Sequence, residues 1–284
     1  MGFKRKNPFF GIATFLSLVS CVFLLNEQEN HPDSPFRKAK NGVYVIAHRG
    51  VHNGIPENSI PSYQKAIELG CDFVEIDVRT TKDGKFISIH NATIDEYVAD
   101  RRGKVREMTL EELKSLDIGS RVGSQWKDTR IPTFEEILQL CKGKTGIYLD
   151  LKDAPVPELV EIIRKHGMER DIIWYIPASR MEEIKKLRAI CPDCIPWPDP
   201  GAESNIPIVM NQVKVIGLAT DMENLSLDFI KTAHRFTAKV FSDENSGSKE
   251  EWEQILRWGT DGIQTDHPEE LIAFLKWRNK SICE

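Results

Sequence analysis

The chain has 284 residues, 40% of them hydrophobic and 29% charged, so it can build a core and is neither a disordered nor a collagen-like polymer. A formal charge of −5 argues against nucleic-acid binding, which needs a basic face to neutralise phosphates. Length allows one or two domains, and a single α/β barrel of about 250 residues is one of the few one-domain solutions at this size.

In chain order, Lys4, Arg5 and Lys6 precede an apolar run from Pro8 to Leu25, the charged and hydrophobic regions of an export signal. The tetrapeptide Leu18-Val19-Ser20-Cys21 resembles a bacterial lipobox, with Cys21 as the lipidated residue. An uncleaved anchor and an ordinary cleaved signal are the alternatives, since about 18 apolar residues can span a bilayer. All three place the rest of the chain outside the cytoplasm, periplasmic, cell-surface or secreted. Without residues 1–20 the chain loses three positive charges and no negative ones, which leaves −8. Residues 26–42 are polar and read as a tether, and 43–284 remain for the fold.

Short β-rich runs then alternate with helical patterns, the signature of βα units around a parallel sheet. Strands are expected at 43–47, 73–78, 147–151, 172–176, 194–197, 215–219, 239–242 and 263–265. Helices are expected at 58–69, 133–140, 157–166, 181–190, 227–235, 249–258 and 268–277. Eight parallel strands imply a (β/α)8 TIM barrel. A ninth run, 86–90, follows its predecessor too closely for a parallel crossover. With Asp83-Gly84 as a two-residue turn it forms a hairpin that sets Asp77 opposite His90.

Of the six cysteines, Cys191 and Cys194 form the one close pair, which reads as a local disulfide rather than a zinc or redox site. Cys71 and Cys141 read as core residues.

In such a barrel the site lies at the C-terminal ends of the strands. Strand ends here deliver His48-Arg49, Glu75 and Asp77, His90, and Asp150 with Lys152. Glu75 and Asp77 are two apart, so they share a face, and like charges on an inner face call for a cation between them. With Asp150 they make an all-oxygen set suited to Mg²⁺, Ca²⁺ or Mn²⁺. The plainer alternative is neutralisation by Arg49 and Lys152 as buried ion pairs. His48 and His90 fit a general acid and base, Arg49 a phosphate contact, and Asn58 or Ser59 a helix cap. Glu75 with Asp150 also fits the carboxylate pair of a barrel glycosidase, a reading that leaves both histidines unexplained.

These residues sit in motifs that resemble the glycerophosphodiester phosphodiesterase family. The matches are His48-Arg49-Gly50, Pro56-Glu57-Asn58-Ser59, Glu75-x-Asp77, Asp83-Gly84 before His90, Ile131-Pro132-Thr133 with Glu135-Glu136, Asp150-x-Lys152 and the run Trp258 to Asp266, in family order. The resemblance implies hydrolysis of a small-molecule glycerophosphodiester to glycerol 3-phosphate and an alcohol. It assigns a divalent metal to Glu75, Asp77 and Asp150, acid/base work to His48 and His90, and phosphoryl contacts to Arg49 and Lys152, with Glu57 close by.

Departures lie around the substrate. Asn91 replaces an acidic residue, Glu96-Tyr97 an Arg-Thr pair, Asp150 a Glu, and Phe241-Ser242-Asp243-Glu244 a Trp-Thr-x-Asn run. Asp243 and Glu244 suggest a cationic leaving alcohol. Two alternatives stand beside hydrolysis: a non-catalytic surface lipoprotein that binds phosphorylated ligands, and a phosphoinositide phospholipase C-like phosphodiesterase that stops at a cyclic phosphate.

Overall fold

The computed structural model describes residues 1–2, 38–244 and 246–283. Residues 3–25 of the expected export segment, Cys21 among them, and residues 26–37 of the tether lie outside these. No helix among the described residues is long and apolar enough to cross a membrane.

The strands are β1 (Tyr44–Ala47), β2 (Phe73–Thr80), β3 (Phe86–Ser88), β4 (Gly146–Leu151), β5 (Ile172–Pro177), β6 (Ile195–Asp199), β7 (Gly217–Asp221), β8 (Lys239–Asp243) and β9 (Gly262–Thr265). All but β3 pair in parallel in the order β6-β5-β4-β2-β1-β9-β8-β7, a nearly closed (β/α)8 barrel as expected. The helices are α1 (Ile60–Leu69), α2 (Leu110–Lys114), α3 (Phe134–Cys141), α4 (Val156–His166), α5 (Met181–Ile190), α6 (Ile206–Gln212), α7 (Leu227–Arg235), α8 (Lys249–Trp258) and α9 (Pro268–Cys283). The sequence reading lacked α2, of five residues, and α6, of seven with Pro207 in its first turn, both too short to show a helical period.

No hydrogen-bonded ladder joins β6 to β7. Pro196 and Pro198 lack N–H donors and, two apart, strip them from the same edge of β6. The β5 edge keeps its ladder, so the open seam is the β7 edge.

Alternation divides the core in two. Val45, Val74, Ile76, Ile147 and Leu149 pack outward against the helices. Tyr44, Phe73, Tyr148, Trp197 and Phe241 fill the barrel, with the Trp197 and Phe241 ring centroids 4.4 Å apart. A third cluster, including Ile87, Ile94, Leu113 and Ile131, supports the long excursion between β3 and α3.

The β2–β3 hairpin departs from expectation. Thr80 pairs with Phe86 and Val78 with Ser88, so the partner of Asp77 is Ile89, whose N–H reaches the Asp77 carbonyl at 3.0 Å, and not His90. The turn holds three residues rather than two. Thr81 N–H donates to the Lys85 carbonyl at 2.8 Å, Gly84 takes φ +72°, and the Thr81 hydroxyl accepts from Lys85 N–H, which shifts the register by one. The C-x-x-C pair forms the expected local disulfide, and Cys71 and Cys141 are free and buried.

The seam depends on Gly217, where a Cβ would fall 2.0 Å from the Trp197 ring. Gly217→Ala is expected to cost about 1–3 kcal/mol by overpacking, a fall of roughly 3–10 °C in the thermal unfolding midpoint for a domain of this size. An unchanged midpoint would contradict this close fit.

Candidate active site

On β2, Phe73 faces the barrel interior and Val74, Ile76 and Val78 the helices, so alternation turns Glu75 and Asp77 inward, where they are 2% and 1% exposed. Asp150 on β4 is the register partner of Asp77. One oxygen from each of Glu75, Asp77 and Asp150 lies within 4.8 Å of the others, as the sequence led us to expect.

The ion-pair alternative is realised only in part. Lys152 Nζ lies 2.5 Å from Asp150 Oδ2 and 3.0 Å from Asp77 Oδ1, while Arg49 Nε is 3.9 Å from Asp77 Oδ2. Glu75 accepts the Arg49 backbone N–H at 2.6 Å and has no ion pair among the described residues. Burial and the neighbouring Asp77 charge push the Glu75 carboxyl well above the usual carboxylate range. Burial also raises Asp150, against the pull of Lys152. At Asp77 the burial effect is outweighed by Lys152, His90 and Asn58, which hold it low. Asp77 Oδ1 is fully buried and meets Lys152 Nζ as an ion pair, without a well-formed hydrogen bond. A buried carboxylate oxygen short of hydrogen bonds, within a three-carboxylate set, is what a hard divalent cation fits.

The turn after β1 holds its residues in costly conformations. Arg49 has φ +52° and Asn58 φ +48°, which non-glycine residues seldom adopt. At Gly50, φ is +80° and a Cβ would meet the Ser62 hydroxyl at 2.5 Å, so glycine is required twice over. Asn58 Nδ2 donates to Asp77 Oδ2 at 2.7 Å, and Asn58 Oδ1 accepts from the Tyr63 and Ser88 hydroxyls at 2.7 and 2.8 Å. Asn58 therefore braces the site, and Ser59 is the residue that caps α1.

His48 lies just beyond β1, with Nδ1 2.6 Å from Asp266 Oδ1. Burial disfavours its imidazolium, but the bond to Asp266 and the charges of Glu75 and Asp243 prevail and raise it to about 9. His90 reaches the same cavity by another route than the expected pairing. Arg79 holds its carbonyl from Nε and Nη2 at 3.0 and 2.7 Å, and its Nδ1 lies 2.8 Å from Asn91 Oδ1. Glu57 receives Arg49 Nη1 at 3.1 Å and the Tyr97 hydroxyl at 3.0 Å. Arg49 and Lys152 thus face carboxylates rather than open space.

These residues line a cavity of about 290 Å³. His48, Arg49, Glu75, His90, Asp150 and Lys152 line it from β1, β2, β4 and the hairpin, Asp199, Asp221 and Asp243 from β6, β7 and β8, with Tyr148 beside Glu75 and Tyr175 beside Asp150. Asp243 takes its expected place. Glu244 does not: it is buried, bonded to the Thr265 hydroxyl and to Gly247 N–H. Asp199 and Asp221 were missed because β6 and β7 were read as ending two residues early, at Trp197 and Ala219. Asp266 was missed as the partner of His48, although a carboxylate directly after the last strand was a usable signal.

Residues 48–191 match the profile of the glycerophosphoryl diester phosphodiesterase family. The chain is 30% identical over 249 residues to a glycerophosphodiester phosphodiesterase of Caldanaerobacter subterraneus subsp. tengcongensis, covering 82% of this chain and 97% of that protein. A second enzyme of that name, from Bacillus subtilis, is 24% identical over 80% of this chain and 84% of its own length. Among solved structures, a phosphodiesterase of Oleispira antarctica in complex with the product sn-glycerol-3-phosphate shares the fold, with a TM-score of 0.75, 22% identity, and coverage of 82% of this chain and 96% of that one.

Mg²⁺ or Ca²⁺ at about 100 times its Kd should stabilise the native state by about 2.7 kcal/mol. That corresponds to roughly 5–10 °C in the unfolding midpoint. Glu75→Gln should unfold no lower than wild type without the ion, since it removes a like charge, and should lose the ion-dependent rise. An equal rise in both proteins would exclude the triad as the site.

Proposed function

The chain belongs to the glycerophosphoryl diester phosphodiesterase family, and on that basis we propose that it hydrolyses glycerophosphodiesters to glycerol 3-phosphate and an alcohol. The observation that carries this reading is the convergence of two imidazoles and a cation-suited carboxylate triad on one cavity. Glu75, Asp77 and Asp150 would hold the ion, Mg²⁺ or Ca²⁺ with Mn²⁺ as a third candidate, which would supply Lewis-acid charge to the phosphoryl group.

The chain's own groups divide the proton work. His90, whose Nδ1 is turned to the Asn91 side-chain oxygen, has Nε2 left to take the nucleophile's proton. His48, whose cation Asp266 stabilises, donates to the leaving oxygen. Arg49 and Lys152 offset charge on the phosphoryl group, and Glu57 with Tyr97 keeps the Arg49 guanidinium in place.

Asp199, Asp221 and Asp243, with the Tyr148 and Tyr175 rings 6.1 Å apart, favour a cationic leaving alcohol. Glycerophosphocholine and glycerophosphoethanolamine are thus favoured over glycerophosphoglycerol.

A coupled assay for glycerol 3-phosphate across these diesters tests the reading. Activity should vanish with chelator and return with Mg²⁺ or Ca²⁺, and His48→Ala or His90→Ala should lower kcat by about 10²–10⁴. The protonated His48 is present below about 9 and lost above it, so activity should fall on an alkaline limb. Asp266→Asn should move that limb to lower pH. Full activity in either alanine variant, or a cyclic phosphate as final product, contradicts the assignment.

Export and membrane tethering through residues 1–25 and Cys21, with 26–42 as the tether, belong to the same proposal, supported by the charged and apolar pattern of that segment. Cys21→Ser should release the protein from the membrane fraction; unchanged membrane retention would remove the lipoprotein reading.

A further inference from the structure

A second set of ligand-type groups meets on the lip of the cavity, apart from the carboxylate triad: His48 Nδ1, His52 Nε2 and an Asp266 oxygen. The two ring nitrogens lie 2.6 and 2.9 Å from the same atom, Asp266 Oδ1. The three donor atoms lie within 4.8 Å of one another. Ions held at about 2.0–2.2 Å by nitrogen and oxygen bring such ligands to roughly 3.0–3.5 Å from each other, so small side-chain rotations suffice.

Three chain segments bring these groups together. His48 N–H is tied to the Thr265 carbonyl at 3.1 Å, so the ends of β1 and β9 hold His48 and Asp266 side by side. His52 returns in the turn beyond Gly50, with its ring nearly perpendicular to that of His48 at 77°. The side chains of His48, His52 and Asp266 are 22%, 23% and 49% exposed, which leaves room for an ion and its water. No Lys or Arg pairs with Asp266 among the described residues, whose partners there are the two imidazoles. Glu75 and Asp243 add negative charge near His48, and Arg49 opposes it.

Two imidazole nitrogens and one carboxylate oxygen suit Zn²⁺ and other borderline ions, whereas the oxygen-only triad suits hard ones. We propose that His48, His52 and Asp266 form a second metal site, selective for Zn²⁺ and inhibitory when filled. Binding takes His48 Nδ1 and Asp266 out of their mutual hydrogen bond and fixes the ring, so His48 no longer cycles its proton. The inhibitory part rests on the catalytic role given to His48 above; the site itself does not.

The experiment uses the full chain with saturating Mg²⁺ and two probes. Co²⁺ replaces Zn²⁺ in such sites and shows visible ligand-field bands when bound in low coordination by nitrogen and oxygen. Wild type should show these bands, and Glu75→Gln should keep them, whereas His52→Ala and Asp266→Asn should lose them. In parallel, Zn²⁺ should inhibit glycerol 3-phosphate release in wild type, and His52→Ala should raise the inhibitory concentration at least about tenfold, each protein being compared with its own Zn²⁺-free turnover in Mg²⁺. His52→Gln serves if the alanine variant fails to fold. Absence of Co²⁺ bands in wild type, or bands and inhibition that survive in the His52 variants, overturns the site and leaves a hydrogen-bonded cluster that merely orients His48. If no diester is hydrolysed but the bands behave as stated, the catalytic reading fails and the metal site stands.

Discussion

The constraint on which the site depends is the excess of negative charge inside the barrel. Glu75, Asp77 and Asp150 occupy inward positions on neighbouring strands, where each would ordinarily be apolar. Burying like charges without compensation costs several kcal/mol per ion. The nearby cations compensate unevenly: Lys152 serves Asp77 and Asp150, Arg49 is shared between Glu57 and Asp77, and Glu75 is left with a single backbone donor. A fold that keeps this arrangement sacrifices stability for a place where a divalent ion fits and where phosphoryl charge can be offset.

That sacrifice is held in place by rigid surroundings. The left-handed backbone at Arg49 and Asn58 is over-determined by Gly50 pressed against Ser62 and by the Asn58, Tyr63 and Ser88 hydrogen bonds, all deeply buried. The same bonds aim Asn58 Nδ2 at Asp77. Strain at the site and support beneath it therefore have one origin, the motif that runs from His48 to Ser62.

Much of this was legible in the sequence because its signals are periodic. Alternation along β2 put Glu75 and Asp77 on one face, and the strand ends put His48, His90 and Asp150 on one rim. What was not legible depends on counts that period cannot supply. One extra residue in the Thr81–Lys85 turn moved Asp77 off His90, whose imidazole still lines the cavity, with its carbonyl held by Arg79 and its ring by Asn91. Two more residues on β6 and β7 carried Asp199 and Asp221 to the rim, and Pro196 and Pro198 on the same β6 open the barrel seam. The partnership of His48 with Asp266 spans 218 positions and follows from barrel closure, which sets the residue after β9 beside the end of β1.

Closure also explains how an acidic chain can act on anionic diesters. Around the rim, β1, β2 and β4 with the hairpin bring both imidazoles, Arg49 and Lys152 to one half of the cavity, while β6, β7 and β8 bring Asp199, Asp221 and Asp243 to the other. Net charge averages these halves and hides both. A substrate with a phosphate at one end and an ammonium at the other would find each charge met within a single cavity of about 290 Å³. A diester with a neutral alcohol would meet only the first half. The same polarity places His48 where the charges of Asp266, Glu75 and Asp243 meet that of Arg49, so the proposed catalysis and the proposed inhibition by metal both act on one imidazole.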